Sequence, residues 1–284
     1  MNFREMDDTQ ENNIDKILLE KFEQEIWNKI PHLEGTKIVN STPLIDLTDD
    51  LKECAKSVYK LNLDNKDLKI YGKFDSTLPS GSIKVRAAAH IIHEAIVSGK
   101  LKGDQTVIEA TSGNFGIALG QLSKLGVSVV ALVSRRLQEG VFKELRNENI
   151  RIMDLDMDIC PAPGMENKAN ELAAKATAGN VRSQLSELGF NPEIFDINIK
   201  EIEALLAKQD IINLAKLLAE MYDLFCPKQY ENELNIEVHK TITAAEIDQQ
   251  LHEKEDSLEN YQIVCSFGTG GTSGGLSQYM IEKY

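Results

Sequence analysis

Three stretches of this 284-residue chain carry residue types that can do chemistry. In Pro79-Ser80-Gly81-Ser82-Ile83-Lys84-Val85-Arg86, a lysine stands just behind a Gly/Ser turn, at the head of the apolar run from Ala87 to Ile96. A lysine at a helix start meets the positive end of the helix dipole, which favours its neutral amine. The neutral amine is the form that makes Schiff bases with carbonyl groups. In Glu109-Ala110-Thr111-Ser112-Gly113-Asn114-Phe115-Gly116, a short polar loop joins an apolar strand to a helix. Its hydroxyls, carboxamide and free N–H groups suit a carboxylate ligand, and the same residue types also serve as helix N-caps. In Gly268-Thr269-Gly270-Gly271-Thr272-Ser273-Gly274-Gly275, five of eight residues are glycine. Such a run lets the backbone approach a phosphate, or simply turns freely.

Other chemistries fit the same residues less well. Gly268-Thr269-Gly270 begins like a dinucleotide fingerprint, but Ser273 stands where the third glycine belongs. Gly271-Thr272-Ser273-Gly274-Gly275 has the nucleophile-elbow pattern, yet no histidine follows Ser273, which argues against a serine hydrolase. His90, His93 and Glu94 read H-I-I-H-E, the wrong order and spacing for a zinc-binding H-E-x-x-H helix. The four cysteines, Cys54, Cys160, Cys226 and Cys265, are scattered without metal-ligand spacing and read as reduced thiols. No metal site is expected.

The elements that must position these residues alternate. Helix 84–98, strand 106–109, helix 115–125, strand 127–133, helix 139–147 and strand 150–155 follow one another, each strand a buried apolar run. That order predicts a parallel sheet covered on both faces, with ligands at the carboxyl ends of its strands. Residues 42–45 form a turn into a short strand, and 68–74 alternate as a second one. Residues 13–30 have helical apolar spacing and precede the rest as an appendage, behind residues 1–12, which read as disordered. Residues 165–221 read as a helical insertion broken at Gly189-Phe190-Asn191-Pro192. Residues 240–260 read as amphipathic helix, and 261–267 (YQIVCSF) as a buried strand running into the glycine loop.

Lys+Arg 31 against Asp+Glu 45 gives a net charge of −14, which argues against nucleic acid or an anionic membrane as partner. An anionic ligand must then be gathered locally, by backbone N–H groups. No signal peptide and no apolar run of membrane-spanning length is visible, so a soluble cytoplasmic protein is expected.

Taken together, the motifs resemble those of the fold-type II pyridoxal phosphate (PLP) enzymes, in the branch of cysteine synthase and cystathionine β-synthase. Thr42-Pro43-Leu44 resembles the family's TPL segment, residues 79–86 its lysine motif, 109–116 its EATSGNTG loop and 267–272 its phosphate loop. Cys226-Pro227-Lys228-Gln229-Tyr230-Glu231-Asn232, with Asn235, His239 and Thr243-Ala244-Ala245-Glu246-Ile247, resembles a further segment of that branch. The resemblance implies PLP as cofactor and Lys84 as both its aldimine partner and the proton-transferring base. Asn114 would meet the PLP ring hydroxyl; Thr111, Ser112, Gly113 and Gln229 would hold the substrate carboxylate. Gly268, Thr269, Gly270, Gly271 and Thr272 would cradle the phosphate. The implied reaction is β-replacement on O-acetylserine or a related activated serine, by a homodimer. A PLP lyase or dehydratase, a synthase using another nucleophile such as ammonia or homocysteine, and a truncated non-catalytic paralogue that binds a partner are the alternatives. Phe115 stands where the family has a small residue, which would narrow the site or alter the amino acid accepted.

The implied fold class is α/β with two parallel-sheet domains: a small one at 76–227 carrying Lys84 and the substrate loop, and a large phosphate-binding one from 37–75 and 228–284, after an N-terminal extension at 1–36. The family continues past its phosphate loop, so the large domain is expected to be incomplete here. Such a domain would expose apolar sheet surface and a strand edge.

Overall fold

The computed structural model describes residues 14–64, 66–134, 137–157 and 176–284. The expected disorder of residues 1–12, the start of the helical block and Cys160 lie outside them. Helix α1 (Lys16–Glu25) is capped by Asp15, which accepts from the Leu18 N–H at 2.9 Å and from the Gly103 N–H at 2.9 Å. Its Leu18 and Phe22, with Ile26 and Ile30 beyond, are buried in the main core. The helix is therefore not an appendage: an apolar stripe of that length needs a partner face, and the lysine helix supplies it. Trp27 stacks on His93 at 4.1 Å and meets His90 at 4.6 Å, so these histidines pack against the N-terminal helical segment.

Two antiparallel ribbons follow. β1 (His32–Glu34) pairs with β2 (Lys37–Val39), and β3 (Leu44–Asp46) pairs with β4 (Tyr71–Lys73). Between the latter two lies α2 (Thr48–Tyr59), a helix the sequence reading omitted.

The parallel sheet is as expected. After α3 (Lys84–Val97) come β5 (Val107–Thr111), α4 (Asn114–Gly120) with its 3-10 continuation Gln121–Leu125, β6 (Val129–Ser134), α5 (Glu139–Asn147) and β7 (Arg151–Met157). Strand order is β5-β6-β7, all parallel, with Val107 opposite Val129 and Val130 opposite Arg151. Successive residues point to opposite faces, which splits the core in two. Val107, Val129, Ala131 and Val133 join α1, α3 and α4 on one side. Ile108, Ala110, Val130, Leu132, Met153 and Leu155 face the other.

That second face is covered by α6 (Ala178–Glu187), α7 (Pro192–Ile197), α8 (Ile199–Ala207) and α9 (Ile211–Tyr222), through Val181, Leu185, Phe195, Ile202 and Leu214. The described part of the helical block is thus one layer of the sandwich. A parallel sheet is apolar on both faces and needs a cover on each.

Beyond it, α10 (Leu234–Val238), a π-helical turn His239–Ala244 and α11 (Ala245–His252) form one continuous rod, and α12 (Gly271–Lys283) packs along it. Gly275 permits the contact, since a Cβ there would lie 2.6 Å from His239 Cβ and from the Ile236 carbonyl. Residues 261–267 depart from expectation. They are no strand: Val264 is 95% and Phe267 82% exposed, and these residues join no sheet. Among the described residues the one parallel sheet is β5-β6-β7; where a second was expected stands the β3–β4 ribbon. An apolar run becomes a buried strand only when another strand takes up its N–H and C=O groups.

Candidate active site

Lys84 is the first residue of α3, as its sequence position implied. It is half-buried, and burial lowers the pKa of its amine. Among the described residues it makes no hydrogen bond or ion pair, so no carboxylate offsets the effect of burial. Two residues earlier the Ser82 hydroxyl is buried without a partner among the described residues.

The rest of the lysine motif is anchored. Arg86 is fully buried; its Nε and Nη2 donate to Asp75 at 2.8 Å each, Nη1 to Glu246 at 2.7 Å and Nη2 to Thr42 Oγ1 at 3.0 Å. Thr42 Oγ1 donates to Asp75 at 2.7 Å, and its N–H to Glu246 at 2.6 Å. Lys73 completes the cluster by donating to Glu246 at 2.6 Å. Two cations thus balance two buried carboxylates. Burial alone raises the Asp75 pKa, but the Arg86 guanidinium outweighs it and holds the group below the usual carboxylate range. Burial likewise lowers the Lys73 pKa, with Glu246 opposing. Residues from three separate sequence motifs meet here, and together they fix the foot of α3.

The polar loop leaves β5 at Thr111, whose buried hydroxyl accepts from the Gly113 and Gly116 N–H groups at 3.1 Å each. Gly113 turns the chain at φ +129° with Val141 against it, so no side chain fits. Ser112 and Asn114 are exposed. Phe115 is only 3% exposed and belongs to the core, not to the site it was expected to narrow. Gln229 lies beside β5: its N–H donates to Glu109 at 3.1 Å and its side-chain amide to the Ala110 carbonyl at 2.8 Å. That leaves one amide hydrogen for a ligand.

The glycine loop turns through Gly270, at φ +82°, into α12. It is joined to His239, which is 0% exposed and feels the charge of Lys84. His239 Nε2 lies 3.3 Å from Thr272 Oγ1 and its Nδ1 3.0 Å from Thr243 Oγ1. Burial first, then the charges of Arg86 and Lys84, push its pKa down to about 3, so the ring is neutral. The loop also reaches the β5 side through Asn235, whose Nδ2 donates to the Gln229 carbonyl at 2.8 Å and to Thr269 Oγ1 at 2.9 Å. In the sequence, Asn235 and His239 stand out only as parts of a longer motif, and Ser82 only as part of the lysine motif. Their signal is tertiary contact, which spacing does not carry.

A glycine cradle with N–H groups and hydroxyls, opening a long helix, linked through His239 to a desolvated amine that has no partner among the described residues, fits a phosphorylated aldehyde. Among the described residues no cluster of three or more His, Cys, Asp or Glu could hold a metal ion. No helix is long and apolar enough to cross a membrane.

Comparison with known proteins points the same way. A family model described as pyridoxal-phosphate dependent enzyme matches residues 55–202, which contain Lys84 and the 111–114 loop but not Gln229 or the glycine loop. Cysteine synthase B of Campylobacter jejuni is 26% identical over 257 residues, 89% of this chain and 62% of its own length. Cystathionine beta-synthase of Saccharomyces cerevisiae is 29% identical over 249 residues, 87% of this chain and 38% of its own length. The crystal structure of cysteine synthase from Entamoeba histolytica matches 95% of this chain and 57% of that one, with a TM-score of 0.53 at 21% identity, a likeness of fold. The chain therefore spans under two thirds of the length of these relatives.

Proposed function

Because the chain belongs to the pyridoxal-phosphate dependent enzymes, we propose that its site carries out β-replacement on an O-activated serine such as O-acetylserine. The observation that carries this reading is the unpartnered, desolvated amine of Lys84 beside the His239–Thr272 end of the glycine loop. The likeness to proteins named cysteine synthase and cystathionine beta-synthase supports the serine side of the reaction.

Pyridoxal phosphate, when bound, supplies an electron sink for the substrate α-carbon. The chain's own groups divide the remaining work. Thr269, Thr272 and the N–H groups of 268–272 hold the phosphate, with Asn114 at the ring hydroxyl. Ser112, the loop N–H groups and the remaining Gln229 amide hydrogen hold the substrate carboxylate, and Thr111 fixes that loop from inside. Lys84, its amine pKa lowered by desolvation, takes the α-proton; the β-acyloxy group leaves as a carboxylate; a nucleophile adds at the β-carbon, and Lys84 returns a proton to the α-carbon. The neutral ring of His239 beside Lys84 adds no positive charge that would oppose protonation during the transfer.

The test is visible absorption of the purified chain titrated with pyridoxal phosphate, then with O-acetylserine, with sulfide and homocysteine offered last as nucleophiles. A visible band absent in Lys84→Ala and shifted by O-acetylserine is the expected result. A wild-type band indifferent to O-acetylserine, or no band, overturns the reading.

A further inference from the structure

Asn235 is 4% exposed and bridges two parts of the site. Its two amide hydrogens go to different parts of the site, the Gln229 carbonyl at 2.8 Å and Thr269 Oγ1 at 2.9 Å. Its Oδ1 is buried with no hydrogen-bond partner among the described residues. That oxygen lies against Gly271, where any Cβ would collide with it.

The hydroxyl of Thr269 is the informative atom. It accepts from Asn235 Nδ2 and, at 3.3 Å, from the Gly271 N–H. A hydroxyl oxygen has two acceptor lone pairs and one hydrogen. With both lone pairs taken by N–H donors, the hydroxyl can only donate, and no described residue accepts from it. An amide at position 235 therefore sets the polarity of Thr269: the hydroxyl hydrogen is left for an acceptor outside the chain, which is what an anion in the glycine loop provides.

We propose that Asn235 is a positioning residue that fixes Thr269 as an O–H donor to a phosphate held by loop 268–272, and ties that loop through Gln229 to the substrate-carboxylate end of β5. The proposal rests on the reading of the loop as a phosphate site. It assigns Asn235 no contact with the ligand; its action passes through Thr269 and Gln229. It also accounts for Gly271, which leaves the space that the Asn235 amide fills.

The experiment compares equilibrium binding of inorganic phosphate, followed by phosphorus-31 line broadening, with that of pyridoxal 5′-phosphate and of phosphate-free pyridoxal, followed by absorbance. The chains are wild type, Asn235→Ala, Asn235→Asp, Thr269→Val and the Asn235→Ala/Thr269→Val double variant. Loss of one charge-assisted hydrogen bond weakens phosphate and pyridoxal 5′-phosphate about tenfold in Asn235→Ala and leaves pyridoxal unchanged. In the Thr269→Val background the Asn235 change adds nothing further for either phosphate ligand. Asn235→Asp keeps the shape but accepts from Thr269, turning the hydroxyl hydrogen inward, so it must bind phosphate no better than Asn235→Ala. Equal weakening of pyridoxal, additive effects in the double variant, or wild-type phosphate affinity in Asn235→Asp each overturns the proposal, as does a wild-type chain that binds neither phosphate ligand. A chain that binds both as expected but ignores O-acetylserine keeps this inference and removes the β-replacement reading.

Discussion

Glu109 opens the polar loop of the site, yet it is 1% exposed and its oxygens accept from the Ala110 and Gln229 N–H groups at 3.0 and 3.1 Å. Burial raises its pKa from 4.5 to about 7, with the N–H donors of Gln229, Ala110 and Lys228 only partly opposing. A carboxyl group whose folded pKa lies above its unfolded one stabilises the fold while protonated. Its contribution is complete below pH 4.5 and is lost as pH rises through about 7. Denaturant titrations of wild type and Glu109→Gln at pH 5 and pH 8 should therefore diverge. The wild type should lose about 2 kcal/mol relative to the variant over that interval. A difference independent of pH would show that Glu109 is ionised throughout. The sequence places this glutamate beside the substrate loop, but spacing gives no sign that it is buried or protonated.

Among the elements, the decisive junction is where α3, the β3 lead-in, the turn after β4 and α11 meet on Arg86. Removing one partner from a buried ion cluster leaves the others uncompensated, at about 3–5 kcal/mol. Arg86→Met should cost that much, read from the shift of a urea midpoint, because Asp75 and Glu246 would both lose their guanidinium. Arg86→Lys should recover little of it, since an ammonium cannot serve two carboxylates and a hydroxyl in the planar arrangement seen here. Full stability in either variant would mean that α3 is fixed by apolar packing alone. The three-stranded sheet and most of the helices, α2 excepted, were legible in the sequence because periodicity carries them. The junction was not, since Thr42, Asp75, Arg86 and Glu246 come together only in the fold.

Over the whole molecule, the two faces of the parallel sheet are covered and segment 261–267 is not. It lies beside the β3–β4 ribbon along an open cleft lined by Leu44, Tyr71, Ile263 and Val264, and Val264, Phe267 and Ile281 are largely exposed. An extended apolar segment with unpaired backbone groups is a template for edge-to-edge pairing. The described chain should therefore self-associate with rising concentration and bind a hydrophobic dye. Val264→Lys should suppress both without moving the thermal midpoint, because the side chain makes almost no intramolecular contact. Sedimentation at several concentrations checks this; a monomer throughout, or an unchanged variant, counts against it.

The sequence by itself determined what depends on local order: the alternation that makes a parallel sheet, the lysine at the head of its helix, the polar loop after β5 and the glycine turn into α12. It also carried the family resemblance, since those motifs are contiguous. Tertiary structure alone decided which apolar segments found a partner. α1 and the helical block found one and became core; 261–267 did not and lies in solvent. The same holds for polar groups: that the Arg86 charge is balanced by Asp75 and Glu246, that Thr269 can only donate and that the Glu109 pKa is raised depends on burial and on neighbours distant in sequence. Hydrogen bonding and desolvation are properties of the assembled fold, and no residue carries them in its position along the chain.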